Sequence, residues 1–175
     1  MTYKINSSMS DYLLRLSKQV EQKGKLSDEI ILETVPMQHK FILASPDDDE
    51  FKFLYEINQS AKNLFKLTLF IMYDDEKMGL LRVDFVGQHL NPEGINEYLP
   101  ERFHQYAGKF FKFDEHHIHY HVDGYKPMAW AIPILHDEFK VKSINNQNDV
   151  TNAFLEFNQL INLKTNFVTG NQSLI

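Results

Sequence analysis

The sequence predicts an α+β fold, with a mainly antiparallel sheet of five to seven strands packed by an N-terminal and a C-terminal helix. Apolar residues recur at helical spacing near both ends of the chain. Between them, short alternating runs are separated by charged or glycine-containing turns, as is typical of an antiparallel meander. The chain has 175 residues and no cysteine, and it is long enough to bury a core without disulfide bonds.

The predicted helices span residues 10–23, with Gly24 just past the end, and residues 150–163, with Asp149 or Thr151 as the cap. An apolar stretch at residues 29–35 is predicted as strand or irregular structure. Strands are predicted at residues 41–44, 51–57, 67–73, 80–86, 112–122 and 128–135, with a long connection at 95–109 and a hairpin joining the last two strands. The chain then divides into an N-terminal helical extension (1–36), an α+β domain (37–165) and a flexible tail (166–175).

Composition excludes several functional classes. The lack of cysteine excludes thiolate zinc sites and thiol nucleophiles. The 24 acidic residues against 18 Lys and Arg give a net charge of -6, which disfavours non-specific attraction to nucleic acid. No apolar run approaches the ~20 residues that span a bilayer, and no signal-peptide pattern is present. We therefore expect a cytoplasmic protein with no membrane partner.

Histidines are concentrated in one segment. Four of the eight fall within HHIHYH, residues 116–121. If this segment is a strand, His117, His119 and His121 share one face, and the imidazoles form a row spaced by ~7 Å. The intervening Ile118 and Tyr120 then face the core.

Other polar candidates lie near this row. Arg82 and Asp84 alternate with apolar residues in LRVDF, so the guanidinium and the carboxylate share one strand face. His89 follows in a turn built by glycine and proline, while Tyr125 and Lys126 lie in the hairpin after the histidines.

Three interpretations of the histidine row remain open. Imidazoles at i and i+2 can bind one divalent metal, with Asp84 or Glu115 as the carboxylate and His89 completing the ligands. Two histidines can instead act as acid and base on RNA, with Arg82 or Lys126 stabilising the phosphate. The third interpretation is a hydrogen-bonded cluster without chemistry.

The order of these motifs carries a resemblance. An Arg-x-Asp strand (Arg82, Asp84), a Gly-x-His-x-Asn-Pro-x-Gly turn (Gly87 to Gly94), a His-x-His strand (His117, His119) and a Gly-Tyr hairpin leading to Trp130 follow one another. This order resembles an uncharacterised domain family of bacteria and mobile elements, which is similar in turn to the TumE-like toxins of toxin–antitoxin pairs. The resemblance implies that the protein cleaves or binds RNA.

We therefore expect a small toxin-like or counter-defence ribonuclease that needs no cofactor, although a divalent metal held by His and Asp stays open. Its expected catalytic residues are His117, His119, His89 and Asp84, and its expected substrate-binding residues are Arg82, Lys126, Tyr125 and His121. The expected partner is RNA or an RNA–protein complex. The alternative is a non-catalytic phage or mobile-element inhibitor, of the anti-CRISPR type, that binds a host defence complex. Homodimerisation through a strand edge is also left open.

Overall fold

The computed structural model describes residues 7–32, 35–169 and 172–173. It shows an α+β fold in which a large antiparallel sheet is accompanied by three helices among these residues. The helices are α1 (Ser7–Arg15), α2 (Glu101–His104) and α3 (Gln147–Leu160), and a short 3₁₀ turn spans Ile134–His136. None of the described helices is long and apolar enough to cross a membrane.

Thirteen strands are described, and eight of them form the large sheet. They are β1 (Gln19–Gln22), β2 (Lys25–Ser27), β3 (Glu29–Ile31), β4 (Gln38–Ala44), β5 (Lys52–Gln59), β6 (Leu67–Tyr73), β7 (Met78–Phe85), β8 (His89–Leu90), β9 (Phe110–Phe111), β10 (His117–Tyr120), β11 (Trp130–Pro133), β12 (Asn166–Thr169) and β13 (Gln172–Ser173). The large sheet has the order β11-β10-β7-β6-β5-β4-β1-β2, a second sheet has the order β13-β12-β3, and β8 pairs with β9.

The core lies between one face of the large sheet and α3. The Tyr55 ring stacks against Phe154 and Phe157 of α3, and its buried hydroxyl donates to Asn158 Oδ1 at 2.8 Å. Trp130, expected as a core residue, is fully buried. The observed helix α3 begins before residue 150, where the predicted helix starts. The Asn146 side chain caps it by accepting a hydrogen bond from the backbone N–H of Asp149.

The prediction of one helix over residues 10–23 is wrong beyond Arg15. Lys23 and Gly24 both have positive φ, and Gln22 pairs with Lys25, so these residues form a two-residue hairpin turn between β1 and β2. Gly24 therefore belongs to a hairpin turn rather than following a helix. Val20 is buried in this strand, because its pairing with β4 places it on the core face.

The strand count of five to seven is also too low, because β1 and β2 extend the sheet beyond β4. Within the segment predicted as a strand at 112–122, only β10 is a strand, because the Glu115 carboxylate accepts from the Lys112 N–H and turns the chain before it. The hairpin joining β10 and β11 is as predicted, and the long connection at 95–109 contains the helical turn α2.

Both ends of the chain contribute strands to the sheets. Besides α1, the first 36 residues supply β1, β2 and β3. In the segment predicted as a flexible tail, β12 pairs in parallel with β3 and buries Phe167.

The other face of the large sheet is polar, and over β4 to β6 it is open to solvent. Two cross-strand rows run over it towards β10, namely Gln38–Asn58–Thr68–Asp84–His117 and Lys40–Glu56–Phe70–Arg82–His119. Side chains in these rows are exposed or half-buried on β4 to β6 and become buried at Asp84 and the histidines. We call this surface the open sheet face.

Candidate metal centre

Three polar side chains meet where β7 pairs with β10. His117 lies directly opposite Asp84 and His119 opposite Arg82, so alternation places all four side chains on one face. Asp84, His117 and His119 are only 4%, 1% and 3% exposed. Arg82 and Asp84 thus lie beside the histidine row, which is buried and holds two histidines rather than three.

The Asp84 carboxylate is held by two further groups. Arg82 Nε lies 2.7 Å from Oδ2 and Arg82 Nη2 donates to Oδ1 at 3.0 Å. The Thr68 hydroxyl donates to Oδ1 at 2.6 Å from the neighbouring strand. Burial disfavours the ionised form, but hydrogen bonding and charge from His119 and Arg82 outweigh it and hold the pKa of this carboxyl well below its usual range. Asp84 is therefore an ionised, oriented carboxylate.

Each imidazole of the pair is fixed through its Nδ1 atom. His117 Nδ1 donates to the Glu115 carbonyl at 2.8 Å, and His119 Nδ1 donates to the Met128 carbonyl at 2.8 Å. Since a carbonyl only accepts, Nδ1 carries a proton in both rings. A neutral ring in this tautomer presents an unprotonated Nε2, and both Nε2 atoms face Asp84.

The Nε2 atoms approach the carboxylate closely. His119 Nε2 lies 3.2 Å from Asp84 Oδ2, and His117 Nε2 lies 3.8 Å from the same oxygen. Burial lowers the pKa of His117 to about 4, so this ring is neutral at pH 7. The unprotonated His117 Nε2 therefore turns a lone pair towards a carboxylate oxygen, an arrangement that a cation between the two atoms would stabilise.

The two separations between histidine nitrogens and the carboxylate oxygen are close to those of metal ligands. Zn–N and Zn–O bonds of about 2.1 Å place neighbouring ligand atoms of a tetrahedral site about 3.4 Å apart. The observed 3.2 and 3.8 Å bracket that value, and one ligand atom from each of the three residues lies within 4.8 Å of the others. Histidine ligands of metals also commonly donate their second ring nitrogen to a backbone carbonyl, as both do here.

A two-stranded ribbon, β8–β9, covers the centre. His89 and Phe111 are paired across it and face inward, and the His89 ring lies 4.5 Å from the His119 ring and 5.8 Å from the His117 ring. His89 Nε2 donates to the Ala129 carbonyl at 2.9 Å. Burial, followed by the charge of His119, lowers the pKa of His89. The structure thus packs the His89 ring against the rings of His117 and His119.

Asn91 fixes this ribbon to the sheet. Its side-chain N–H groups donate to the carbonyls of Tyr106 and Ala131, and its carbonyl oxygen accepts from the Ala131 N–H. The asparagine of the turn motif is therefore a buried structural residue.

Three expected substrate-binding residues make no contact with Asp84 among the described residues. His121 Nε2 lies 3.1 Å from Asp123 Oδ1 outside β10, and the Tyr125 hydroxyl donates to the Gly94 carbonyl while its ring packs on Trp130. Lys126 is exposed in the same loop. Among the described residues, no hydrogen bond, ion pair or ring contact joins any of the three to Asp84.

Glu115 was one of two carboxylates considered as a metal ligand, and the structure gives its side chain a different partner. The Glu115 carboxylate pairs with Lys109 at 2.8 Å, and only its backbone carbonyl serves the centre. The Thr68 hydroxyl and the Met128 carbonyl were not anticipated. The alternation of β6 indicates which face of the strand carries Thr68. No local pattern predicts which backbone carbonyl accepts a hydrogen bond from an imidazole.

Comparisons with known proteins give a family but no activity. The model of a family described as "Family of unknown function (DUF6978)" matches residues 5–163. No curated protein and no solved structure matches the chain.

Proposed function

We propose that this chain, which belongs to the family of unknown function DUF6978, is a metal-dependent hydrolase that binds one divalent transition metal. The ligands are Asp84 Oδ2, His117 Nε2 and His119 Nε2. One observation carries the proposal: the Nδ1 atoms of both histidines are committed to carbonyls, so both Nε2 atoms are left to face one buried, ionised carboxylate.

The ligand set favours catalysis over a structural role. Structural zinc sites are closed by four protein ligands, whereas catalytic sites have three and keep a position for water or substrate. Here three ligand atoms converge among the described residues. When bound in such a site, a divalent metal acts as a Lewis acid and lowers the pKa of a bound water to about 7.

Each residue of the chain then has a separate task. Thr68 and Arg82 orient the carboxylate, and the Glu115 and Met128 carbonyls fix the histidine tautomers. His89 and Phe111 close one side of the centre. The Arg82 side chain is 43% exposed, so its guanidinium can also meet an anionic substrate at the entrance.

The metal-free use of the two histidines as acid and base receives less support from this geometry. Both rings are almost completely buried, and each has one nitrogen engaged with the backbone. The inhibitor function stays a prediction that charge reversal at Asp47, Asp48 and Asp49 tests. Homodimerisation also stays a prediction.

The experiment is metal analysis of protein purified without a histidine tag. Equilibrium dialysis against Zn²⁺, Co²⁺, Mn²⁺, Ni²⁺ and, without oxygen, Fe²⁺ is expected to show one ion per chain for at least one metal. The His119→Gln and Asp84→Asn variants should lose it, and the visible spectrum of a Co²⁺-loaded protein should report the ligand geometry.

The matched control is His121→Gln, which changes a histidine two residues away that pairs with Asp123. It should retain the metal. Circular dichroism checks that each variant is folded. The metal centre is contradicted if none of the metals binds stoichiometrically, or if wild type and folded His119→Gln bind the metal equally. The hydrolase is contradicted if metal binds but the protein hydrolyses neither aryl esters nor phosphoesters.

A further inference from the structure

We infer that the open sheet face binds single-stranded nucleic acid and delivers a phosphodiester to the centre, an inference about substrate that rests on the proposed function. The face is continuous with the centre, because Thr68 both belongs to it and donates to Asp84 Oδ1 at 2.6 Å. A shallow depression of about 410 Å³ lies on it, lined in part by Asn58, Lys62, Lys66 and Thr68.

Cations are available on this face. Lys62 and Lys66 are exposed, and neither is paired with a described carboxylate. Arg82 lies one strand further along, where it is paired with Asp84 but keeps 43% of its side chain exposed. Lys40 contributes little, because it is paired with Glu56 at 2.8 Å. A chain of net charge -6 thus has local sites for phosphate groups beside its buried carboxylate.

Aromatic rings accompany these cations. Phe70 is half-buried on the open sheet face directly opposite Arg82. Phe65 and Phe113 are 48% and 52% exposed, and the Lys66 ammonium lies 5.6 Å from the centroid of the Phe113 ring. Exposed rings interleaved with cations are typical of surfaces on which successive bases stack while the backbone follows the charges.

The shape of the surface favours a polymer over a small molecule. Small ligands are usually enclosed in a deep cleft. Here the polar rows cross β4, β5 and β6 before they reach β7, which at about 4.8 Å per strand extends over about 14 Å. Duplexes present paired bases that cannot stack on a sheet, so we expect single strands to be preferred.

The reaction at the centre is then phosphodiester hydrolysis. The oxygen of a water molecule forms a bond to phosphorus, the bond from phosphorus to one ester oxygen breaks, and that oxygen takes up the proton that water gives up. No oxidant, reductant or second substrate is required.

The test measures fluorescence anisotropy of labelled 12-nucleotide single-stranded RNA, single-stranded DNA and duplex RNA, with a chelator present. The metal-free condition makes the binding result independent of the metal centre. We expect at least one of the two single strands to bind, and to bind more tightly than the duplex. For three phosphate contacts the logarithm of affinity should fall with the logarithm of salt concentration with a slope of about -2.

Variants locate the surface. Phe70→Ala should weaken binding about 5- to 150-fold if one base stacks on the ring, and Lys62→Gln/Lys66→Gln should make the salt slope shallower by about 1.4. The control is Lys23→Gln/Lys25→Gln, which changes two exposed lysines at the far edge of the sheet. It should behave as wild type.

Failure here is distinguishable from failure of the metal centre. If no single strand binds, if the duplex binds as well, or if the control pair weakens binding as much as the two variants, the surface inference is overturned even when metal binds stoichiometrically. If single strands bind but dialysis finds no metal, the surface stands as a binding site and the hydrolase is lost.

Discussion

Replacing His119 by glutamine should remove most of the thermal stabilisation that a bound metal confers. A ligand at 100 times its Kd stabilises the folded state by about 2.7 kcal/mol. For a domain of this size each kcal/mol shifts Tm by about 2–4 °C. Wild-type protein should therefore melt about 5–11 °C higher with metal than without it.

The magnitude for the variant follows from the ligand count. His119 supplies one of three ligand atoms, and its Nε2 lies 3.2 Å from the Asp84 oxygen. Loss of a group that merely orients a ligand costs 10- to 100-fold in metal affinity, so loss of a ligand should cost at least about 100-fold. At the same metal concentration the stabilisation falls to about 0.4 kcal/mol, or a shift of about 1–2 °C.

Differential scanning calorimetry in metal-buffered solution measures this, with each protein compared with its own metal-free Tm. His121→Gln should keep the full shift, because His121 contacts Asp123 rather than the centre. The reasoning is refuted if His119→Gln and wild type shift equally, or if His121→Gln loses as much of the shift as His119→Gln.

Three further predictions concern stability. Burial lowers the pKa of Lys18 to about 7, below its unfolded value near 10.5. Between these pH values the unfolded chain binds more protons than the folded chain, so the free energy of unfolding should rise with pH by up to about 1.4 kcal/mol per pH unit. The urea midpoints of the wild type at pH 7, 8 and 9 should therefore rise, and those of Lys18→Met should not. Tyr55→Phe leaves the buried Asn158 oxygen without its donor, so the free energy of unfolding in urea should fall by about 1–3 kcal/mol, and an unchanged value would contradict the hydrogen bond. Asn91→Leu removes three buried hydrogen bonds to the backbone, so the free energy of unfolding should fall by at least about 2 kcal/mol. The metal-induced Tm shift should also become smaller, since the same segment carries His89. A folded variant that keeps the full shift would show that the ribbon does not support the centre.

The central strands were predictable because their signal is local. Alternation over residues 51–57 and 67–73 matches β5 and β6 closely, since one face of each strand is buried against α3. The N-terminal prediction was wrong because helical spacing in residues 10–23 was extended past Arg15 into β1. Pairing of β1 with β4 decided the conformation there, and that contact is distant in sequence.

The candidate site was predictable in its residue types but not in its arrangement. Alternation predicted that Arg82 and Asp84 share a face of one strand and that His117 and His119 share a face of another, and the structure pairs the two strands so that all four lie together. His121 was assigned to the same row, but the strand ends at Tyr120 and the side chain contacts Asp123 instead. Strand ends depend on pairing partners, which a single segment does not specify.

The sequence by itself determined that the protein is α+β, that thiolate chemistry is excluded, that Arg82 and Asp84 share a face of one strand, and that His117 and His119 share a face of another. These follow from composition and from a two-residue period, which are properties of local segments. Only the tertiary structure decided that His117 and His119 are buried and that their Nδ1 atoms donate to the Glu115 and Met128 carbonyls. It also connected the centre to the cations and rings of the open sheet face, because register and loop packing join residues that are far apart in the chain.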